Sequence, residues 1–245
     1  MVRLLRLRSL VPGLLLLPIV LSALTVARIE LPDGFDAISD RLAVKGFGGR
    51  NKGHFEFPGH SGEFTRKESR LGVFDPLPVS NSGKSSFSLT GDLVENTVSA
   101  SCEMTRKAVT VGIVTFDPKK MLYECELRHA NATSMDRLLL GHPKPSGFKE
   151  RLLAQERRRG EAQVLGQHFW IESVHRYQGS KLVSSAPAGY WIMQGESVVA
   201  AVELTDVDPV FYVRRDIGPE VRRGVLPVAL GLAVLRDPAN SALED

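Results

Sequence analysis

From Gly224 to Leu235 the chain reads GVLPVALGLAVL, twelve residues without a charge, and no other segment constrains the fold as strongly. Pro219, just upstream, suits the first turn of a helix, where a missing N–H leaves no bond unmade. Wound as a helix, the segment is apolar on every side, and such a helix belongs in a large core or in lipid. Twelve residues rise only about 18 Å, short of the roughly 30 Å hydrocarbon layer of a bilayer. Its expected home is the protein interior, with Pro227 kinking the helix or marking a late start.

The elements expected to surround that helix are strands. Period-two alternation bounded by Gly, Pro, Asn and Asp predicts them at 42–47, 53–57, 63–67, 85–90, 167–177, 189–193, 198–204 and 210–213, with a tight hairpin at Gln194-Gly195-Glu196. A further three, at 98–104, 109–113 and 121–127, read as a meander with one buried face. Cys102 and Cys125 then lie on its first and third strands, about 9.6 Å apart, beyond the roughly 4.4–6.8 Å that a disulfide needs. Two buried free thiols are therefore expected. A short helix capped by Asp33 would place Phe35, Ile38 and Leu42 on one face. Residues 142–160, HPKPSGFKERLLAQERRRG, read as a Pro/Gly turn and a charged surface helix. Arg157, Arg158 and Arg159 suit its solvated C-terminal turn, with contact to anionic headgroups as the alternative. The fold class is mainly β, an antiparallel barrel or sandwich of about eleven strands packed around a C-terminal apolar helix.

The opening residues set the compartment. Arg3, Arg6 and Arg8 precede 19 uncharged residues, Ser9 to Ala27, and no acidic residue occurs before Glu30. This is the pattern of a signal peptide cut after Ala27, or of an N-terminal anchor, over 1–27. Either way, arginines on the leading side place a single domain, 28–245, outside the cytoplasm, in the periplasm or held at the inner membrane. Without the leader, the 31 basic residues fall to 28 and match the 28 acidic ones. A domain of zero net charge lacks the electrostatic footprint of a nucleic-acid binder, so no nucleic acid is expected as partner.

Motifs that carry chemistry are few. In GFGGRNKG, Gly46 to Gly53, the glycines can turn successive N–H groups into one concavity, but His54-Phe55-Glu56-Phe57 alternates as a strand, so a glycine-rich turn is the simpler reading. Ser82-Gly83-Lys84-Ser85 ends like a phosphate loop, yet Pro78 stands where that pattern needs glycine and no helix follows. The pairs His54/His60 and His168/His175 are six and seven apart, not at zinc spacing, and no cofactor or metal is implied. Glu124 and Glu126 share the polar face of a strand. No Gly-x-Ser-x-Gly elbow anchors a hydrolase, although a triad assembled from distant residues would leave no such trace.

In outline, a β-rich chain closed by a hydrophobic helix resembles the tubby-like barrels, which include the phospholipid scramblases, over roughly 42–235. That resemblance implies a closed antiparallel barrel threaded by its C-terminal helix. In wording, GFGGRNKGHFEF (46–57), SRLGVFDPL (69–77), SNSGKSSFSL (80–89), GIVTFDPKKM (112–121) and LRDPANSAL (235–243) resemble an uncharacterised family of exported bacterial proteins. This implies a periplasmic or membrane-associated β protein and transfers no catalytic residue.

The expected function is that of a non-enzymatic envelope protein contacting lipid, peptidoglycan or another envelope protein. One alternative is a lipid or small-ligand carrier with a cavity beside the C-terminal helix. Another is a hydrolase whose site is not visible in sequence. A third is an anion-binding module using Arg50, Lys52, Arg70 and Lys84.

Overall fold

The computed structural model of the protein describes residues 27–69, 82–92, 94–105, 110–111, 114–115, 121–130, 135–143, 157–235 and 237. In chain order the strands are β1 (Ser39–Ala43), β2 (Lys52–Phe57), β3 (His60–Ser69), β4 (Ser82–Gly91), β5 (Val94–Thr105), β6 (Thr110–Val111), β7 (Val114–Thr115), β8 (Leu122–His129), β9 (Asp136–Gly141), β10 (Arg159–Val164), β11 (Gln167–Val174), β12 (Gly189–Gln194), β13 (Ser197–Glu203) and β14 (Val210–Arg214). Helix α1 (Pro219–Val234) follows.

Twelve of these strands form one antiparallel sheet in the order β1-β14-β13-β12-β11-β10-β9-β8-β5-β4-β3-β2. The sheet curls until its two edges meet at one bridge, where Lys45 N–H donates to Glu56 O at 2.8 Å and Glu56 N–H donates back at 3.0 Å. The result is a nearly closed barrel. Its inward positions, among them Phe55, Phe64, Phe87, Leu138, Phe169, Ile192 and Phe211, form one cluster with Gly224-to-Val234 neighbours Val225, Leu226, Leu230 and Leu232. Every residue of α1 from Gly224 onward is buried. The helix runs through Pro227 without a late start, and the twelve charge-free residues occupy the barrel lumen as the sequence requires.

A helix ending inside a protein must satisfy its last carbonyls. Tyr123 Oη donates to Gly231 O at 2.9 Å, and Arg66 donates through Nη2 to Ala233 O at 2.7 Å and through Nε to Val234 O at 3.0 Å. The Arg66 guanidinium lies over the rings of Phe47 and Phe64, and its charge meets the negative end of the helix dipole. Phe47 reaches the interior from the glycine-rich connection between β1 and β2. There Gly46 has φ +99°, and a Cβ on it would fall 2.2 Å from His54 O.

A second, smaller cluster lies on the outer wall. Ile29 and Phe35 cover Val174, Ala188, Ala201, Val210 and Tyr212. This corrects the helix expected after Asp33: a single 3-10 turn, Asp36–Ile38, leads directly into β1. Phe35 belongs to the outer cluster and Leu42 to the interior, so they share no helical face.

Two further expectations are corrected. Cys102 and Cys125 are disulfide-bonded, with Cα atoms 4.0 Å apart. β5 pairs directly with β8, Cys102 opposite Cys125, because the supposed middle strand is not between them. Thr110–Val111 and Val114–Thr115 instead pair with each other in a separate two-stranded sheet. The Arg triplet is not the solvated end of a helix. Arg159 opens β10 and Arg158 is 2 % exposed, while 144–156 of the expected charged helix fall outside the described residues. The fold class itself is as expected, with twelve barrel strands where the pattern predicts about eleven, β9 and β10 being additional to those taken from it.

Candidate binding groove at the barrel seam

Among the described residues β1 and β2 are the two edge strands of the sheet, joined only at the Lys45–Glu56 bridge, and strand alternation identifies which main-chain groups face the seam. Ile38 O accepts from Arg215 N–H, and Val44 N–H donates to Pro209 O, so even-numbered residues of this stretch face β14. Odd-numbered ones face the seam, as Lys45 does in its bridge to Glu56. The N–H and C=O groups of Arg41 and Ala43 therefore point into the gap.

That gap is a groove of about 620 Å³ whose wall includes Arg41, Ala43, Lys45, Glu56, Pro58 and His60. An adjoining groove of about 530 Å³ shares Lys45, Glu56, Ser61 and Thr90 with it and continues over His54, Glu63 and Ser88. Together they make a trough of mixed charge, with polar and apolar surface in about equal parts, along the outer face of β2, β3 and β4. His60 is 8 % exposed, stacks on Phe57 and donates through Nδ1 to Pro58 O at 3.0 Å. Its Nε2 is buried and without a hydrogen-bond partner among the described residues.

The anion-site residues expected from sequence fall elsewhere. Arg50 is exposed in the β1–β2 connection, and its carbonyl accepts from Arg66 Nη1 at 3.4 Å. Lys52 is exposed at the start of β2, opposite Thr65. Lys84 lies across from Lys67 on β4 and pairs with Glu103 at 3.6 Å. Arg70 lies outside the described residues. Gly83, Lys84 and Ser85 lie within strand β4 rather than in a phosphate-cradling loop. His54 Nδ1 is 3.4 Å from Glu63 Oε1 on the open face, and His168 packs edge-on against Trp170. Among the described residues no group of three His, Cys, Asp or Glu gathers at metal-binding distance.

A second polar constellation, absent from the sequence reading, lies by the C-terminal end of α1. Arg158 donates to both Asp237 oxygens, Nε to Oδ2 at 2.8 Å and Nη2 to Oδ1 at 2.6 Å, with both side chains almost wholly buried. Its Nη1 donates to His142 Nδ1 at 3.1 Å, and Tyr190 Oη donates to Asp237 at 3.4 Å. Burial holds the Tyr190 hydroxyl pKa well above its ordinary value, with the Asp237 charge adding to the effect. Nearby, Ser173 Oγ is 2.9 Å from His175 Nε2, whose Nδ1 is 3.1 Å from Ser184 O. The Nδ1 proton therefore goes to that carbonyl, and Ser173 donates to Nε2 while accepting from Arg158 N–H. Burial lowers the His175 pKa, and the cations Arg158 and Arg157 lower it further. A small recess beside the helix end, lined by Arg66, Tyr123, Val234 and Leu235, encloses about 20 Å³.

Among the described residues no helix is long and apolar enough to cross a membrane. Set against known protein families, curated proteins and solved structures, the chain matches none of them.

Proposed function

We propose that the protein is a non-enzymatic, extracytoplasmic binding barrel whose seam accepts an extended segment of another envelope protein as an added strand. One observation carries this reading: Arg41 and Ala43 present two N–H and two C=O groups to a groove of about 620 Å³. Pairing of a peptide strand to such an edge is a general recognition mode, with affinity from main-chain bonds and selectivity from side-chain pockets. Four added bonds are worth about 2–6 kcal/mol net. Arg41, Lys45 and Glu56 give the groove both signs of charge, and His60 adds a buried ring nitrogen without a partner among the described residues. The leader and the Cys102–Cys125 disulfide both support an oxidising, exported setting. We extend the proposal to a tubby-like, scramblase-like barrel of the exported bacterial family that the wording resembles; the helix-filled lumen supports the barrel part of that reading.

Short extended peptides selected from a displayed random library against the purified protein test this. Bound peptide is expected to slow amide exchange at Arg41 and Ala43. Ala43→Pro removes a groove-facing donor without touching the β14 ladder and is expected to abolish binding. Selected peptides that protect some other surface, or that bind the proline variant equally well, refute it.

A hydrolase is the second reading, favoured by the Ser173–His175 hydrogen bond. A neutral His175 can accept the serine proton, but a carbonyl rather than a carboxylate orients it. Covalent labelling of Ser173 by a fluorophosphonate, lost in His175→Ala, establishes this reading; an unlabelled Ser173 removes it.

A further inference from the structure

The loop that follows β11 carries exposed apolar residues beside the point where the leader joins the barrel. Ile29 bridges Tyr177, Glu30 N–H donates to Arg176 O, and Gln178 N–H donates to Arg28 O, so 28–30 runs as a strand along 176–178. On the other side Arg176 bridges Val183, and Ser184 N–H donates to His175 O. This three-stranded flap ends in Leu182, 78 % exposed, and Val183, 50 % exposed. Arg28, Arg176 and Lys181 are exposed around them. From Ser173 to Gly195 the chain holds no acidic residue. Tyr177 and Trp191, residues of the type that settles at the headgroup layer, are half-buried in the same wall, with Trp191 Nε1 donating to Glu30 O.

We infer that this flap is a membrane-docking surface that seats the barrel on anionic phospholipid. The apolar stretch of the leader ends at Ala27, and the chain is fixed to the barrel wall by Ile29, two residues later. A leader retained in the bilayer leaves almost no slack, so the flap meets the headgroups while the Gly195–Glu196 turn, at the opposite ends of β12 and β13, stays away from them. Leu182 and Val183 then enter the interface, and Arg28, Arg176 and Lys181 pair with lipid phosphates. The inference goes beyond the seam reading and shares with it only the leader.

The test uses the full chain, purified in detergent and reconstituted into phosphatidylcholine vesicles with or without phosphatidylglycerol. Both native cysteines are bonded to each other and buried, so a nitroxide attaches selectively at Leu182→Cys, with Glu196→Cys as control. Collision with oxygen against a soluble nickel chelate reports depth. The Leu182 label is expected to favour oxygen, as in lipid, on phosphatidylglycerol vesicles, and the Glu196 label to remain aqueous. Reversing Arg176 and Lys181 to glutamate is expected to lower the docked population by roughly tenfold or more. An aqueous Leu182 label on vesicle-bound protein overturns docking while leaving the anchor. Protein that stays off the vesicles overturns both, and neither result bears on peptide binding at the seam.

Discussion

Replacing Arg158 by methionine tests the polar lock behind the helix most severely. The arginine and Asp237 side chains are 1 % and 2 % exposed, and their two bonds of 2.8 and 2.6 Å form a bidentate fork. Removing the cation leaves a carboxylate buried with Tyr190 Oη at 3.4 Å as a remaining donor, and breaking such a pair costs about 3–5 kcal/mol. Against a domain stability of roughly 5–15 kcal/mol, that is a large fraction, and a shift of this size is plain in urea unfolding. Asp237→Asn, which removes the carboxylate charge from this bidentate fork, is expected to lose a similar amount. Arg158→Met with Asp237→Leu removes both charges and should recover much of the loss. Recovery stays partial because Tyr190 and His142 each lose a hydrogen bond, at about 0.5–1.5 kcal/mol apiece. A coupling energy above about 2 kcal/mol from the double-mutant cycle is therefore expected. A loss below about 1 kcal/mol for Arg158→Met, or single losses that simply add, refutes the lock.

Other outcomes are equally direct. Cys102→Ala with Cys125→Ala, or reduction of the bond, is expected to lower stability by about 3 kcal/mol, from release of a 23-residue separation in the unfolded chain; an unchanged urea midpoint in the reducing arm contradicts the bond. His175 is held neutral below its ordinary pKa near 6.5, so the unfolded chain takes up its proton first. Stability should fall as pH drops below about 6.5 towards the lowered folded value, and His175→Gln should flatten that slope in urea midpoints measured across pH. Leu230→Ala, at the centre of the helix and fully buried, is expected to cost about 2–5 kcal/mol by calorimetry or denaturant; a neutral result means the lumen is not packed.

What the sequence made legible is what periodicity and length can express. Twelve charge-free residues too short for a bilayer demanded an enclosure, and alternating strands supplied the wall. Pairing was harder, because alternation assigns a face but not a neighbour. Residues 109–113 alternate as Cys102's strand does, yet β5 and β8 join directly past them, which turned an expected pair of thiols into a disulfide. β10 escaped notice because its inward residues begin with Gly160 and Ala162, which carry little apolar signal. A side chain at Gly160 would fall 2.1 Å from Leu139 O, so the backbone there admits none. Arg158 looked like one of three solvated arginines since its partner, Asp237, is 79 residues away. The seam groove is built from main-chain groups, which have no letter in a sequence.

Native-state hydrogen exchange, read residue by residue on the free protein, bears most directly on a barrel filled by its own helix and open at one seam. Amides of Val225 to Val234 that have hydrogens to exchange should do so only through global unfolding, with the same free energy as denaturant melting. Arg41 and Ala43, facing the groove, should exchange far faster than Leu42, which faces β14. Helix amides that exchange through a low-energy local opening, or Arg41 and Ala43 protected as firmly as Leu42, would contradict the filled barrel or the open edge respectively.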